Sequence, residues 1–248
     1  MSEAEGVRAL LKSHRSIRRF TDQSISQEII DDIVECGQWA PTSHNVQAYS
    51  VICVRDKIKK QALARLCGNQ RYIEECPVFF IFVADFFRHA QLCEANGTPF
   101  EVEETENLLV GAVDTALFAE NVLLAARSYG LGGVMIGGIR NDAAQVAKLV
   151  NLPKWTVPIM GMCLGYPAQE PWQKPRIARA AIYHEDTYQI EQLPQQLQDY
   201  DTVSADYYRK RTNGHRTNGW SAGMTSYFGE IRRANLTDFI KSQGFSLK

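Results

Sequence analysis

The amino-acid sequence predicts a domain of the α/β type, because apolar runs with strand character alternate with segments of helical periodicity. The chain has 248 residues, of which 45% are hydrophobic, and a chain of this size buries roughly three quarters of its unfolded surface. A complete core therefore needs neither a metal nor a disulfide. We expect one large domain, or one domain with an appendage.

The first third of the chain supplies two helices and two strands. Ser26 is the predicted N-cap of a helix that runs to about Trp39, and Ile25 can pack onto Ile30 as a hydrophobic staple. The other elements are strands over 49–54 and 78–84 and, between them, a helix over about 57–67 that ends at Gly68-Asn69.

The most distinctive segment runs from Glu106 to Gly130 and is rich in Ala, Leu and Val, broken by Asp114, Glu120, Asn121 and Arg127. A helix that is apolar on almost every side is buried, so we expect a long central helix in the core or against a partner subunit. Further on, the pattern predicts a strand over 134–136, a helix over 141–150 and a strand over 157–164.

After Pro171 polar residues dominate. The stretch 192–210 predicts a surface helix that leads into a basic loop over 212–219. We therefore expect a core over residues 1–190 and a C-terminal extension over residues 191–248, in the form of an arm or lid.

Composition excludes several classes of protein. The net charge of -1 and the pI near 6.5 argue against a binder of nucleic acid or of anionic membranes. The longest apolar run, Val78–Ala84, is far shorter than the roughly 20 residues of a membrane helix. The acidic first residues do not resemble a signal peptide, and the six cysteines form no CxxC pair. We expect a cytoplasmic protein with reduced thiols, no membrane span and no nucleic-acid partner.

Two motifs point to chemistry that their context does not favour. Gly219-Trp-Ser221-Ala-Gly223 matches the nucleophile elbow of hydrolases, but no apolar strand precedes it and every histidine comes before it. His89 and Cys93 have the spacing of neighbours on a helix face, but no second pair of metal ligands follows. We expect neither a hydrolase nor a metal site.

Two basic clusters suit a phosphate, because arginine, lysine and histidine make charged hydrogen bonds to its oxygens. They lie at 14–19, with His14, Arg15, Arg18 and Arg19 beside Ser16, and at Lys174-Pro-Arg176. The alternative for the first cluster is a solvated basic patch, and either cluster alone is weak evidence of a phosphate site. In the same way, Gly137-Gly138 is either a helix stop with a tight turn or a place where bare backbone approaches a flat ligand.

Several stretches follow one another in an order typical of a single family: His14-Arg-Ser-Ile-Arg-Arg-Phe-Thr21, Ala40-Pro-Thr-Ser-His-Asn-Val-Gln47, Gly68-Asn-Gln70, Gly111 through Met135-Ile-Gly-Gly138, Gly165-Tyr-Pro167, Lys174-Pro-Arg176 and Tyr207 through Arg216. Together they span nearly the whole chain and resemble the nitroreductase family, in its NADPH-dependent branch of flavin reductases and oxygen-insensitive nitroreductases. The resemblance implies an α+β fold, with a mostly antiparallel sheet wrapped by helices, and an intertwined homodimer that binds one FMN per subunit.

The resemblance also gives residues roles. It implies that His14, Ser16, Lys174 and Arg176, with Arg15 beside them, hold the FMN phosphate. Arg18 would lie near the N1 and O2 edge of the ring, and Gln70 would bond its pyrimidine edge. Backbone of Ile136, Gly137 and Gly138 would face the ring. Ser43, with Thr42 and His44, would reach the flavin from the neighbouring subunit. Arg211 and Arg216 would bind the extra phosphate of NADPH.

In such an enzyme FMN carries the hydride chemistry, so no catalytic side chain is required. The resemblance implies ping-pong transfer of hydride from NADPH through FMN to nitroaromatics, quinones or flavins. The alternative is an NADPH-FMN reductase or NAD(P)H oxidase acting on free flavin, oxygen or disulfides. Two features depart from the pattern: the stretch 93–106 is longer than in shorter members, and Met135 stands where some relatives have tyrosine.

Overall fold

The structure is a computed structural model that describes residues 3–102 and 104–247. Within these residues the strands are β1 (Tyr49–Val54), β2 (Val78–Asp85), β3 (Gly132–Ile136) and β4 (Thr156–Gly165). The α-helices in the same residues are α1 (Glu3–Lys12), α2 (Gln27–Gln38), α3 (Lys57–Leu66), α4 (Arg71–Glu75), α5 (Phe87–Ala95), α6 (Thr105–Ser128), α7 (Ala143–Leu149), α8 (Leu193–Arg211), α9 (Trp220–Phe228) and α10 (Leu236–Ser242).

The four strands form one sheet in the order β1-β2-β4-β3, and each neighbouring pair is antiparallel. The α+β class implied by the family resemblance is therefore confirmed. The α/β type favoured by alternation alone was wrong, because the order of helices and strands along a chain does not fix the direction in which the strands pair.

The predicted elements are confirmed, and their caps explain where they begin. The Ser26 hydroxyl accepts the N–H of Ile29 at the start of α2, and the Asp56 carboxylate accepts that of Lys59 at the start of α3. Each cap satisfies one of the backbone donors that a helix leaves unpaired in its first turn. Gly68 and Asn69 follow α3 with φ of 88° and 58°, a left-handed conformation that stops a helix.

Every residue of β2 is buried, so the sheet has a core on both faces. Phe80 and Phe82 pack with Phe118 of α6, whereas Phe79 and Ile81 belong to a second cluster beneath α3 and α7. The sheet is therefore covered by helices on both faces.

The long helix α6 confirms the predicted central helix. It is long and apolar enough to cross a membrane by length and composition, but Phe118, Val122 and Ala126 lie in the sheet core. Burial is confined to one side, because an opposite stripe stays exposed at Leu109 (55%), Val113 (55%) and Leu117 (39%). Partial burial explains its composition without a bilayer.

The chain divides into two compact units, one ending at Pro171 and resuming at Arg233, the other formed by Trp172–Arg232. The second unit contains α8 and α9, where Tyr200 and Trp220 pack edge to face with ring centroids 5.7 Å apart. Its Asp201 accepts the Ser221 N–H over 2.6 Å. The predicted division at residue 190 stays a prediction.

Candidate functional site

The basic segment 14–19 runs beside β3. The Ile17 N–H donates to the Gly133 carbonyl over 2.9 Å, and the Ala168 N–H donates to the Arg19 carbonyl over 2.9 Å. The Ile17 side chain is buried against Gly132, where an added Cβ would lie 2.5 Å from Ile17 Cγ1. A glycine at 132 thus allows the segment to lie close to the sheet.

The arginines of this segment have different partners. Arg15 donates to the Glu170 carboxylate over 2.7 Å, and Arg19 Nε donates to Gln169 Oε1 over 3.1 Å. The Arg18 guanidinium lies over the Tyr72 ring, 5.9 Å from its centroid. Of the three charges, that of Arg18 alone therefore has an aromatic face as its partner in the part of the chain that the structure describes. His14 and Ser16 are half-buried.

Gln70 is fixed by hydrogen bonds at both ends of its amide. Its Nε2 donates to the Cys67 carbonyl over 2.6 Å, and its Oε1 accepts a short hydrogen bond from the Tyr72 hydroxyl. Burial raises the pKa of the Tyr72 hydroxyl while Arg18 opposes that shift, so this hydroxyl stays protonated at neutral pH and donates. Arg18, Tyr72 and Gln70 consequently form one chain of contacts.

Gly138 completes this cluster. An added Cβ there would lie 2.5 Å from the Cys67 carbonyl oxygen and 2.7 Å from Gln70 Nε2. Because real Cβ atoms do not approach so closely, residue 138 must be glycine for Gln70 to keep its position. Arg18, Gln70 and Gly138, which are far apart in sequence, are brought together.

Gly137 differs from Gly138 because a side chain at position 137 would meet no atom at less than ordinary contact distance. An added Cβ would make ordinary contacts with two guanidiniums, at 3.4 Å from Arg140 and 3.6 Å from Arg233. The Arg233 Nε donates to the Asn141 side chain over 3.1 Å, which holds it near the turn. Ile136 is buried and anchors the turn to β3.

The stretch 42–48, termed the anchored loop below, carries Thr42, Ser43 and His44. The Ser43 N–H donates to Asp114 Oδ1 over 3.1 Å, and the Ala48 N–H donates to Asp114 Oδ2 over 3.2 Å. Ser43 and His44 are exposed, and Thr42 is half-buried. Its backbone is thus fixed by a buried carboxylate while its side chains remain accessible within this unit.

In the second unit, Lys174 and Arg176 flank Pro175 and are both exposed. The Tyr200 hydroxyl of α8 donates to the Pro175 carbonyl over 3.1 Å. Burial raises the pKa of Tyr200, with Arg176 opposing, so this donor also stays protonated at neutral pH. Both cations line an open surface pocket of about 530 Å³, within the size range of small-molecule sites.

The basic stretch at the end of α8 separates into two kinds of cation. Arg209 and Lys210 both pair with Asp206, and these contacts lower the pKa of that carboxyl, Lys210 more than Arg209. Arg211 instead lies over the Tyr207 ring and Arg216 over the Tyr208 ring, with centroid distances of 5.9 and 3.6 Å. Neither has a carboxylate partner within residues 3–102 and 104–247.

Sequence reasoning missed three residues of this arrangement: Asp114, Tyr72 and Arg233. A signal existed for Asp114, since it is an acid inside an apolar helix. No local pattern marks Tyr72 or Arg233, because their partners are set by the tertiary fold. Ser221 lies in the first turn of α9, and the described residues directly before this helix lack the strand from which a nucleophile elbow starts. His89 and Cys93 share α5, but the described residues contain no group of three candidate metal ligands.

Two family models account for most of the chain. The Nitroreductase family model matches residues 11–166, and the model of the Nitroreductase family, C-terminal domain, matches residues 174–248. The chain therefore belongs to the nitroreductase family.

Similar proteins extend this result over the full length. The FMN reductase (NADPH) of Bacillus subtilis (strain 168) is 42% identical over 238 residues, which cover 94% of this chain and 96% of the relative. The CR(VI) reductase of Pseudomonas sp. (strain G-1) is 38% identical over 242 residues, 98% of this chain and 100% of the relative. The structure of NfrA1 nitroreductase from B. subtilis superposes with a TM-score of 0.94 at 41% identity, covering 97% of this chain and 99% of that one.

Proposed function

We propose that this chain is an FMN-dependent NADPH oxidoreductase that reduces small acceptors. The observation that carries the proposal is the convergence of Arg18, Gln70 and Gly138 in a chain that belongs to the nitroreductase family. These groups offer a cation, an amide and bare backbone, which are the groups a flavin ring needs for charge, hydrogen bonding and close approach.

The residues present fit FMN. Gly138 admits Gln70 into a space that a Cβ would fill, and a Cβ at Gly137 would make ordinary contacts with the ends of the Arg140 and Arg233 side chains. Bound FMN would supply the hydride transfer, which explains why the site needs no nucleophile and no acid–base pair. The tasks left to this chain are to hold the cofactor, to keep a positive charge at its pyrimidine edge through Arg18, and to present the backbone of Ile136, Gly137 and Gly138 to the ring.

For the phosphate end of FMN we propose His14, Arg15 and Ser16, together with Lys174 and Arg176. Arg15 already bonds to Glu170, which is exposed, so a phosphate competes with a partner that water solvates well. The tyrosine that bonds to Pro175 fixes the backbone between Lys174 and Arg176, which lowers the entropic cost of using both cations.

The proposed assembly is a homodimer. Exposed apolar side chains at Leu109, Val113 and Leu117 follow one another at spacings of four along α6 and form a continuous apolar stripe. A second copy of the chain covering this stripe would remove it from water. In that assembly Thr42, Ser43 and His44 reach the FMN of the neighbouring subunit, as the family resemblance implies. We place the enzyme in the cytoplasm.

The preference for NADPH rests on Arg211 and Arg216. Arg209 and Lys210 share the Asp206 carboxylate, whereas Arg211 and Arg216 pair with no carboxylate among the described residues, so these two remain available to the extra phosphate of NADPH. The proposed acceptors are nitroaromatics, quinones and flavins. The names of the relatives, an FMN reductase (NADPH) and a CR(VI) reductase, are consistent with a broad choice of small acceptors.

Initial-rate kinetics test this function. With NADPH and a nitroaromatic varied together, a ping-pong enzyme gives parallel double-reciprocal lines, since the two substrates take turns at one site. Intersecting lines would contradict exchange at one site, and absence of turnover with nitro, quinone and flavin acceptors alike would refute the proposed enzyme.

A further inference from the structure

Among the described residues, Asp114 is a buried acid without a cationic partner. It lies in the middle of α6, is 1% exposed, and forms no ion pair in the part of the chain that the structure describes. A carboxylate removed from water is costly unless hydrogen bonds compensate. The compensation here comes from two backbone N–H groups of the anchored loop, those of Ser43 and Ala48.

The anchored loop needs such support, because its backbone is strained. His44, Asn45 and Gln47 have φ of 47°, 58° and 53°, in the left-handed region that residues with a Cβ adopt at a cost. A strained conformation persists only where surrounding contacts impose it. Asp114 supplies acceptors at both ends of the strained stretch.

Two side chains of helix α5 contact carbonyl groups of the same loop. Arg88 donates to the Gln47 carbonyl over 2.9 Å, and the His89 ring nitrogen Nε2 lies 2.8 Å from the Val46 carbonyl oxygen. The N–H groups of the loop thus bond to an acceptor on α6, and its carbonyl groups contact side chains of α5. Because these two sets of contacts use different backbone groups, each can be weakened separately.

We propose that Asp114 is a positioning residue for flavin binding, which sets FMN affinity by fixing the anchored loop through Ser43 and Ala48. This inference rests on the proposed function, because the loop is assigned to the flavin there. It adds a residue that touches neither cofactor nor substrate and that acts through the backbone of the residues that do. Asp114 directly follows Val113 of the exposed stripe, so α6 carries both the residue that holds the loop and the proposed dimer surface.

The test compares Asp114→Asn with Thr115→Val. Both changes conserve shape, and both sites are buried on the same helix, but the Thr115 hydroxyl has no hydrogen-bond partner among the described residues, whereas the Asp114 carboxylate holds the loop. An asparagine keeps one acceptor and turns an NH2 towards the other backbone donor, so one anchor is lost. Amide hydrogen exchange at residues 43–48 reports the loop, and fluorescence titration of the apoprotein reports FMN affinity.

We expect Asp114→Asn to speed exchange at Ser43 and Ala48 and to weaken FMN binding by about tenfold, the effect of losing one charged hydrogen bond. Thr115→Val should change neither reading. Faster exchange with unchanged FMN affinity would overturn the proposal, and so would equal effects of both variants.

If Asp114→Asn does not fold, Arg88→Ala keeps the proposal open to refutation. Its side chain is 52% exposed, so the core is untouched, while the hydrogen bond to the Gln47 carbonyl is lost and the contact of His89 with Val46 remains. It should weaken FMN binding in proportion to the faster exchange, and a loosened loop with full FMN affinity would refute the coupling. A wild-type protein that binds no FMN at all would instead refute the proposed function, and exchange at Ser43 and Ala48 would still decide whether Asp114 anchors the loop.

Discussion

The two basic segments of this chain, residues 14–19 and residues 209–216, carry similar charge in different settings. In the first, Arg15 and Arg19 bond to the 169–170 segment, and Arg18 lies over the ring of Tyr72. In the second, two cations share Asp206, and the remaining two arginines lie over tyrosine rings. In both segments, the arginines that lie over an aromatic ring, Arg18, Arg211 and Arg216, pair with no carboxylate among the described residues.

The comparison teaches that a count of basic residues overstates the charge available to a ligand. Arg18 is half-buried in a connected cluster, whereas Arg211 and Arg216 are exposed at the end of a helix. A half-buried charge acts strongly and at short range, and an exposed one is screened by salt. We therefore assign the first segment to a cofactor that stays bound and the second to a nucleotide that comes and goes.

The largest effect is expected from Arg18→Ala. Loss of the cation at the pyrimidine edge should slow reduction of the bound flavin by NADPH on the order of 100-fold, the usual loss when a preorganised donor is removed from a site of charge development. Anaerobic stopped-flow absorbance measures this rate. Arg19→Ala is the matched control, since its guanidinium is exposed and bonds to an amide. A similar loss in the control would contradict the special place of Arg18.

The second prediction concerns the exposed segment. Arg211→Ala combined with Arg216→Ala should raise KM for NADPH by roughly 10- to 100-fold and leave KM for NADH nearly unchanged, because two charged contacts to the extra phosphate disappear. The control is Arg209→Ala with Lys210→Ala, whose charges Asp206 already offsets. Equal changes for both nucleotides would dismiss the assignment.

The third prediction separates the two adjacent glycines. Gly138→Ala should lower the melting temperature of the apoprotein as well as FMN affinity, because its Cβ meets the Cys67 carbonyl at 2.5 Å. Gly137→Ala should leave the melting temperature unchanged, because its Cβ makes ordinary contacts with guanidinium ends at 3.4 and 3.6 Å, and should weaken FMN binding alone by about tenfold, because the bare backbone that faces the ring is lost. Identical melting curves for the two variants would show that the fold does not require the close contact between Gly138 and the Cys67 carbonyl.

The smallest effect is expected from salt. Raising ionic strength from about 0.01 to 0.3 M should increase KM for NADPH several-fold, because the Debye length falls from about 30 Å to below 10 Å around exposed arginines. FMN retention during dialysis should change much less over the same range. Loss of flavin in parallel with the rise in KM would remove the distinction between the two segments.

Sequence patterns predicted the strands, the N-cap at Ser26 and the long helix, because these depend on residues close together in the sequence. Strand direction was not predictable from alternation, since it depends on how β2 and β4 meet. The residues of the candidate site were predicted from the family resemblance, but their hydrogen-bond partners were not. Arg15 bonds to a glutamate 155 residues away, and Asp114 accepts from backbone groups 66 and 71 residues away. Such contacts exist only once the chain has folded.

The central claim is that this chain carries FMN and that NADPH reduces it. The most direct measurement is the absorbance spectrum of the purified protein under anaerobic conditions, before and after addition of NADPH. We predict a yellow protein whose oxidised-flavin absorbance band bleaches on addition of one equivalent of NADPH per subunit. A colourless protein that takes up no added FMN, or a flavin band that NADPH leaves unchanged, would contradict the account.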